Sequence, residues 1–331
     1  MRTNIPTSIA QFKASLLLAC LAVLLGAPLL AQKPLTLENR VRAQAAIERV
    51  YYNHRIWPGE NPGPKPPFEK MMARDVIEAK VEDYLKKSAA LDKFWQRPIT
   101  AEQLQAEMDR MAKQTKDPET LKELFAALNN DPYLIAECLA RPILADRLIR
   151  NWYAYDTRFH GDLKREAEAL REQLTPENFP YLDAGRFHAV KIELEEPSSQ
   201  LSERSPDSTV LRLAAGDFEK AVSEYPEVGR ISRVEETAEA CIIRWNERKT
   251  ETSLEGGVIV FEKTPFDKWF NEAEHNLPAE VSTTQAGYSV SPMMLAAPIT
   301  DPTSPDSWKS LWYIPEPRCA HSAVWTGSER V

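Results

Sequence analysis

The chain has 331 residues, 43% of them hydrophobic and 27% charged, with 11 Gly and 25 Pro. That is enough to bury one or two ordinary cores and excludes a collagen-like or wholly disordered chain. A formal charge of −8 gives no overall basic footprint, and neither GxGxxG nor GxxxxGK[ST] occurs, so nucleic acid and nucleotides are not expected partners and no cofactor is expected.

Arg2 and Lys13 precede an apolar run from Ala14 to Ala31, the arrangement of a secretory signal. Residues 1–31 are expected to be this signal, cut after Ala31, giving a periplasmic or secreted protein. Cleavage removes two cations and no acids and takes the charge from −8 to −10. An uncleaved anchor is the alternative, because the run is near the lower length for a span. The signal segment is the one expected contact with a membrane. Cys20 lies within it. Cys138, Cys241 and Cys319 are too few and too widely spaced for a disulfide framework or a metal site, so buried free thiols are expected, with a Cys138–Cys241 bridge as the alternative.

From Thr36 to about Trp152 the apolar period is helical. Ala43, Ala46, Ile47, Val50 and Tyr51 recur at three- and four-residue steps and predict a long amphipathic helix. The string WPGENPGPKPP then places five prolines between Pro58 and Pro67, which predicts a loop. A second helix is predicted over about Phe68 to Leu91, with Met71, Met72, Val76, Val81, Tyr84 and Leu85 on its apolar side. Thr100 and Gln103 read as a capping box that opens a third, with Leu104, Met108 and Met111 along one face. Asp117-Pro118 and Asp131-Pro132 predict two further starts, since Asp accepts from free N–H groups and Pro fits the first turn. A sixth helix is predicted from Arg158 to Leu174.

After Pro176 the composition changes. FHAVKIEL (Phe187 to Leu194), ACIIRW (Ala240 to Trp245) and GVIVFE (Gly257 to Glu262) have the strand signature, with a Ser- and Pro-rich loop after the first. The predicted fold class is a mainly α N-terminal helical bundle over residues 32–156, then a small α+β module over 157–277. A poorly ordered tail is expected from 278 to 331.

Two candidate surfaces stand out in the helical half. Tyr51, Tyr52, Arg55 and Trp57 in YYNHRIW place aromatics and a cation beside the Pro-rich loop, a candidate peptide-docking surface, or simply the packing that ends a long helix. Met71 and Met72 open a Met-rich stretch that suits varied apolar partners but equally suits a core. The acidic run Glu193, Glu195 and Glu196 has no metal-ligand spacing. The five histidines at 54, 160, 188, 275 and 321 suggest no Ser/His/Asp arrangement.

AAIERVYYNHRIWP, ITAEQLQAEMDRMAKQT and DPYLIAECLARPILADRLI resemble the helical chaperone domain of SurA-like, parvulin-type peptidyl-prolyl isomerases of the bacterial envelope. The likeness covers residues 36 to about 155. It implies a bundle that cradles extended, unfolded polypeptides. The second half resembles a shortened parvulin core. His188 stands where the family's first strand carries its histidine, FEKAVSEYPEVGRIS (Phe218 to Ser232) resembles the helix and turn before the last strand, and TAEACII (Thr237 to Ile243) resembles that strand. Cys241 falls where the second histidine is expected, about thirty residues separate His188 from Phe218 where the family has roughly twice that, and no GGxLG-like segment lies between. The catalytic residues that the resemblance implies are His188 and Cys241. Isomerisation must lower a barrier of about 20 kcal/mol by gripping a proline while polar groups favour the twisted amide, so an incomplete set implies binding as the main activity. An active isomerase with a minimal site is the second reading. DSW (Asp306 to Trp308) and RCAHSAVWTGSE (Arg318 to Glu329) resemble the opening of a kelch-type propeller repeat, which gives a third reading, a helical interaction scaffold truncated from a propeller-bearing surface protein.

Overall fold

The computed structural model describes residues 35–277 apart from 60, 62, 184 and 196–209. The predicted signal segment with Cys20, the predicted Ser- and Pro-rich loop, and the C-terminal stretch with Cys319 and the kelch-like strings lie outside the described residues. The rest is helical with a small mixed five-stranded sheet, in two compact units. One comprises residues 35–81 and 101–138, the other residues 82–100 and 139–277.

The first unit is built from α1 (Leu37–His54), α2 (Phe68–Met71), the first part of α3 (Arg74–Trp95), α4 (Ala101–Gln114), α5 (Pro118–Ala127) and α6 (Pro132–Ile135). Thr36 caps α1 by accepting from Asn39 N–H at 3.2 Å. Asp117 accepts from Thr120 N–H at 3.0 Å, and Asp131 from Tyr133 N–H at 2.9 Å, so both Asp-Pro starts form as their chemistry dictates. Val41, Ala43, Ile47 and Val50 of α1 are buried, and α1 packs against α5 through Leu121, Leu124 and Phe125. The predicted helix from Phe68 to Leu91 is split at Met72 (φ −131°, ψ 79°) into α2 and α3. Its buried side runs through Ile77 and Val81, and Val76 is 44% exposed. An ion pair with both partners buried joins Arg40 Nη2 to Glu137 Oε2 at 2.6 Å.

After α6 the helix widens into a π turn, Ala136–Ala140, before α7 (Arg141–Ala154). Pro142 has no N–H to offer the carbonyl one turn back, and a π turn is one way a helix absorbs such a gap.

The second unit holds α7, α8 (Thr157–Gln173), α9 (Phe179–Leu182), β1 (Phe187–Leu194), β2 (Val210–Leu213), α10 (Ala215–Ser223), β3 (Glu235–Glu236), β4 (Ala240–Lys249), β5 (Ser253–Glu262) and α11 (Phe266–Ala273). Strand order is β2-β1-β5-β4-β3, with β1 and β2 parallel and the other pairs antiparallel. One face carries Phe187, Cys241, Ile243, Ile259 and Phe261, packed with Ala167, Leu174 and Phe179 of the α8–α9 region. The division into units does not fall at residue 156. Segments 82–100 and 139–156 go with the sheet unit, because Trp95 and Tyr153 meet Trp269 of α11 and the Ala154 carbonyl is held by Lys263.

All three predicted strands form, and two further short strands join them. Two adjacent glycines let β5 sit centrally. A β-carbon on Gly257 would lie 2.3 Å from Cε2 of Phe187, and one on Gly256 would lie 2.1 Å from the Trp245 carbonyl oxygen, beside the bulge at Asn246/Arg248. At Gly256 the obstacle is backbone, a close approach that only glycine admits; at Gly257 it is the Phe187 ring.

Candidate functional site

In the first unit the end of α1 and the Pro-rich loop form one locally folded surface. Lys65 Nζ donates to the carbonyls of Tyr52 at 2.5 Å and Arg55 at 2.7 Å, placing a cation at the negative end of α1. The same ammonium lies 4.2 Å from the Tyr52 ring centroid. Tyr52 donates its hydroxyl to the Pro66 carbonyl at 2.8 Å and meets Phe68 edge-on at 5.6 Å. Trp57 Nε1 donates to the Gly63 carbonyl at 3.1 Å. Tyr52 and Trp57 therefore hold the loop in place. Tyr51 is 44% exposed, Arg55 is exposed, and Met71 and Met72 are half-buried where α2 meets α3. Ile56, 54% exposed, belongs to the same surface and carried no signal beyond its place between Arg55 and Trp57. Such a surface offers apolar contact and an exposed cation, Arg55, the chemistry of weak, adaptable polypeptide binding.

In the second unit His188 and Cys241 are not brought together. Side chains alternate across a strand, and the register aligns His188 with Val258 and Arg244 in one row, and Cys241 with Phe261 in another. The two rows differ in parity, so His188 is on one face and Cys241 on the other. The strand that resembles the family's last strand is also followed by β5, which lies between it and β1. Cys241 is fully buried, and burial pushes its thiol up, with Lys263 opposing. It is not an activated nucleophile. Cys138 is buried too, and the two are not joined by a disulfide. His188 is exposed, on a face where Val190, Ile242, Val258 and Val260 are half-buried. In its row, buried Arg244 pairs with Glu224 at 3.0 Å and with Glu235. The nearby Tyr225 hydroxyl is pushed up to about 12 by burial.

A buried polar group lies at the end of the sheet. Lys263 Nζ donates to the Ala154 carbonyl at 2.6 Å, the Thr237 carbonyl at 2.8 Å and Glu236 Oε1 at 2.9 Å, and Lys164 pairs with Glu236 at 2.8 Å. Burial alone would raise the Glu236 carboxyl, but the two lysines hold it below the usual range. His160, 3% exposed, meets Tyr153 edge-on at 4.7 Å. Burial and the Lys263 charge push its imidazole down, which keeps it neutral. The lysine's three donors are satisfied, and the group acts as a tie.

Beside it is an aromatic cluster. Trp269 of α11 stacks on Tyr153 at 4.6 Å and lies 5.6 Å from Phe94, 5.8 Å from Trp95 and 5.1 Å from Phe159. Between α8 and the Asp183–Arg186 turn is a shallow hollow of about 230 Å³, floored by Leu170 and Phe261. Its Arg186 is already paired with Glu166 at 2.8 Å and Asp183 at 3.0 Å. Among the described residues no group of three or more His, Cys, Asp or Glu is placed to hold a metal ion, and no helix is long and apolar enough to cross a membrane.

No family model matches the chain, and no curated protein or solved structure matches it either.

Proposed function

We propose that the protein is an exported folding factor that binds unfolded polypeptide chains through its first unit. The observation that carries this reading is the surface at the end of α1, where Lys65 pins the loop while Tyr51, Arg55 and Ile56 stay outside it. A pinned loop presents its exposed side chains at little further entropic cost, and half-exposed tyrosine, isoleucine and methionine side chains gain free energy from any extended apolar segment. Contacts of this kind are individually weak and exchange quickly, as a nucleotide-free holdase requires.

A SurA-like relationship, with a modified parvulin core, accompanies the proposal. Support comes from the order of elements in the second unit. FEKAVSEYPEVGRIS begins within α10 and ends in the turn that leads to β3, and TAEACII runs into β4. The placement of His188 and Cys241 on opposite faces favours binding over isomerisation by that pair.

The test is light scattering from an unfolded envelope protein diluted into the purified chain. Wild type is expected to suppress aggregation. The double substitution Tyr51→Ser, Ile56→Ser is expected to need about fivefold more protein for the same suppression, the effect of losing roughly 1 kcal/mol of apolar contact. Equal suppression by both would remove this surface from the function, and no suppression by either would overturn the reading.

A further inference from the structure

α11 is held by chemistry that another helix could supply. Phe266, Trp269 and Phe270 stand at i, i+3 and i+4, one face of a helix. Of these, Trp269 meets Phe94 and Trp95 of α3, Tyr153 of α7 and Phe159 of α8, and Phe266 meets Tyr153 at 5.7 Å. The receiving elements contribute cations to the rim and the α11 segment contributes acids and a carbonyl. Arg150 pairs with Asp267 at 2.9 Å, Lys86 with Glu274 at 3.3 Å, and Lys93 Nζ donates to the Asn276 carbonyl.

At eight residues, α11 is too short to hold helical form alone in water, so the groove lends it its structure. The chain enters α11 through Pro265, directly after Thr264, whose carbonyl accepts from Tyr153 Oη at 2.8 Å, and Lys263, which is fixed by its three acceptors. The helix thus hangs from a fixed point. The cluster stays partly open with α11 in place: Phe159 is 37% exposed and Phe94 and Trp95 are half-buried.

We propose that the aromatic groove formed by α3, α7 and α8 is a docking site for short acidic amphipathic helices with aromatic residues at i, i+3 and i+4, and that α11 is its resident occupant, displaced by such a segment of a partner polypeptide. The partner's chemistry is read from α11 itself and from the complementary charges of the rim. The site lies in the second unit and stands whether or not the Tyr51–Ile56 surface binds clients.

The test uses a fluorescent peptide of residues 264–277 titrated into the full chain and into its Phe266→Ala, Trp269→Ala variant. The variant is expected to bind about tenfold more tightly, because the tethered competitor is weakened. Adding Lys86→Glu and Arg150→Glu to the variant is expected to weaken binding about fivefold. Equal binding to wild type and variant, or binding to neither, would overturn the proposal. Hydrogen exchange on the wild-type chain gives a readout that does not depend on the variant folding. Saturating unlabelled peptide is expected to strip protection from residues 268–273 while β4 and β5 keep theirs. Unchanged protection of α11, or the same loss with a peptide carrying Ala at 266, 269 and 270, would overturn it.

Discussion

Lys263 Nζ donates to the carbonyl of Ala154 at 2.6 Å across 109 residues of chain, closing the last turn of α7 with the residue that follows β5. The ammonium is buried, and its other two acceptors belong to β3 and to the turn after it. Replacing it with Met leaves the Ala154 carbonyl and Glu236 without their buried cation. We expect Lys263→Met to destabilise the second unit by about 3 kcal/mol, read from urea unfolding followed by Trp fluorescence. A change below about 1 kcal/mol would show that water replaces the lysine.

Asp156 caps α8 through Arg158 N–H at 2.8 Å and accepts from Trp95 Nε1 at 2.7 Å. The Arg158 side chain, first, and then these donors pull its carboxyl down to about 2 against the effect of burial. A depressed carboxyl stabilises the fold above its unfolded value near 3.8 and loses that contribution as pH falls through about 2. Arg158 is largely exposed, so screening trims the effect to about 1–2 kcal/mol. We expect Asp156→Asn to cost that much at neutral pH and to cost progressively less from about pH 4 to pH 2. A pH-independent difference would contradict the assignment.

His160 has the same sign by a different route. Its imidazole is pushed down by burial and by Lys263, so the unfolded chain binds the proton more readily. The stability this protects is complete above about pH 6.5 and drains as pH falls below that value until the buried ring itself takes a proton. We expect His160→Phe, which keeps a ring against Tyr153, to flatten the pH dependence of the urea midpoint below about pH 6.5. Retention of the full slope would move its origin to another group.

Gly257 lies under the Phe187 ring, and the next residue to feel that constraint is on the neighbouring strand. Gly257→Ala is expected to cost about 2 kcal/mol. Phe187→Leu in the same chain is expected to recover part of that cost, a coupling that a double-mutant cycle on thermal unfolding would measure. Additive losses would mean that the ring moves aside freely.

Much of the local structure was legible in the sequence because it rests on local chemistry. Asp117 and Asp131 announce helix starts by the donors they satisfy, and FHAVKIEL, ACIIRW and GVIVFE announce strands by residue type. Pairing is another matter. Which face His188 or Cys241 occupies depends on register with β5, a strand whose glycines and apolar run say nothing about its neighbours. β2 is four residues of VLRL beside a polar loop, too short to carry a period. Nothing in the sequence marks Lys263 as buried, since its three acceptors lie 26, 27 and 109 residues away. At the surface proposed to bind clients, YYNHRIW could not separate Tyr51 from Tyr52, because that depends on which ring the Pro-rich loop folds against.

β5 is the last strand of the described chain to be synthesised and the one at the middle of the sheet. Without residues 253–262, β1 has only β2 beside it and β4 has only the two residues of β3. The sheet therefore cannot be built up by adding strands in chain order. Its sheet is complete only once the β4–β5 hairpin has set β5 against β1.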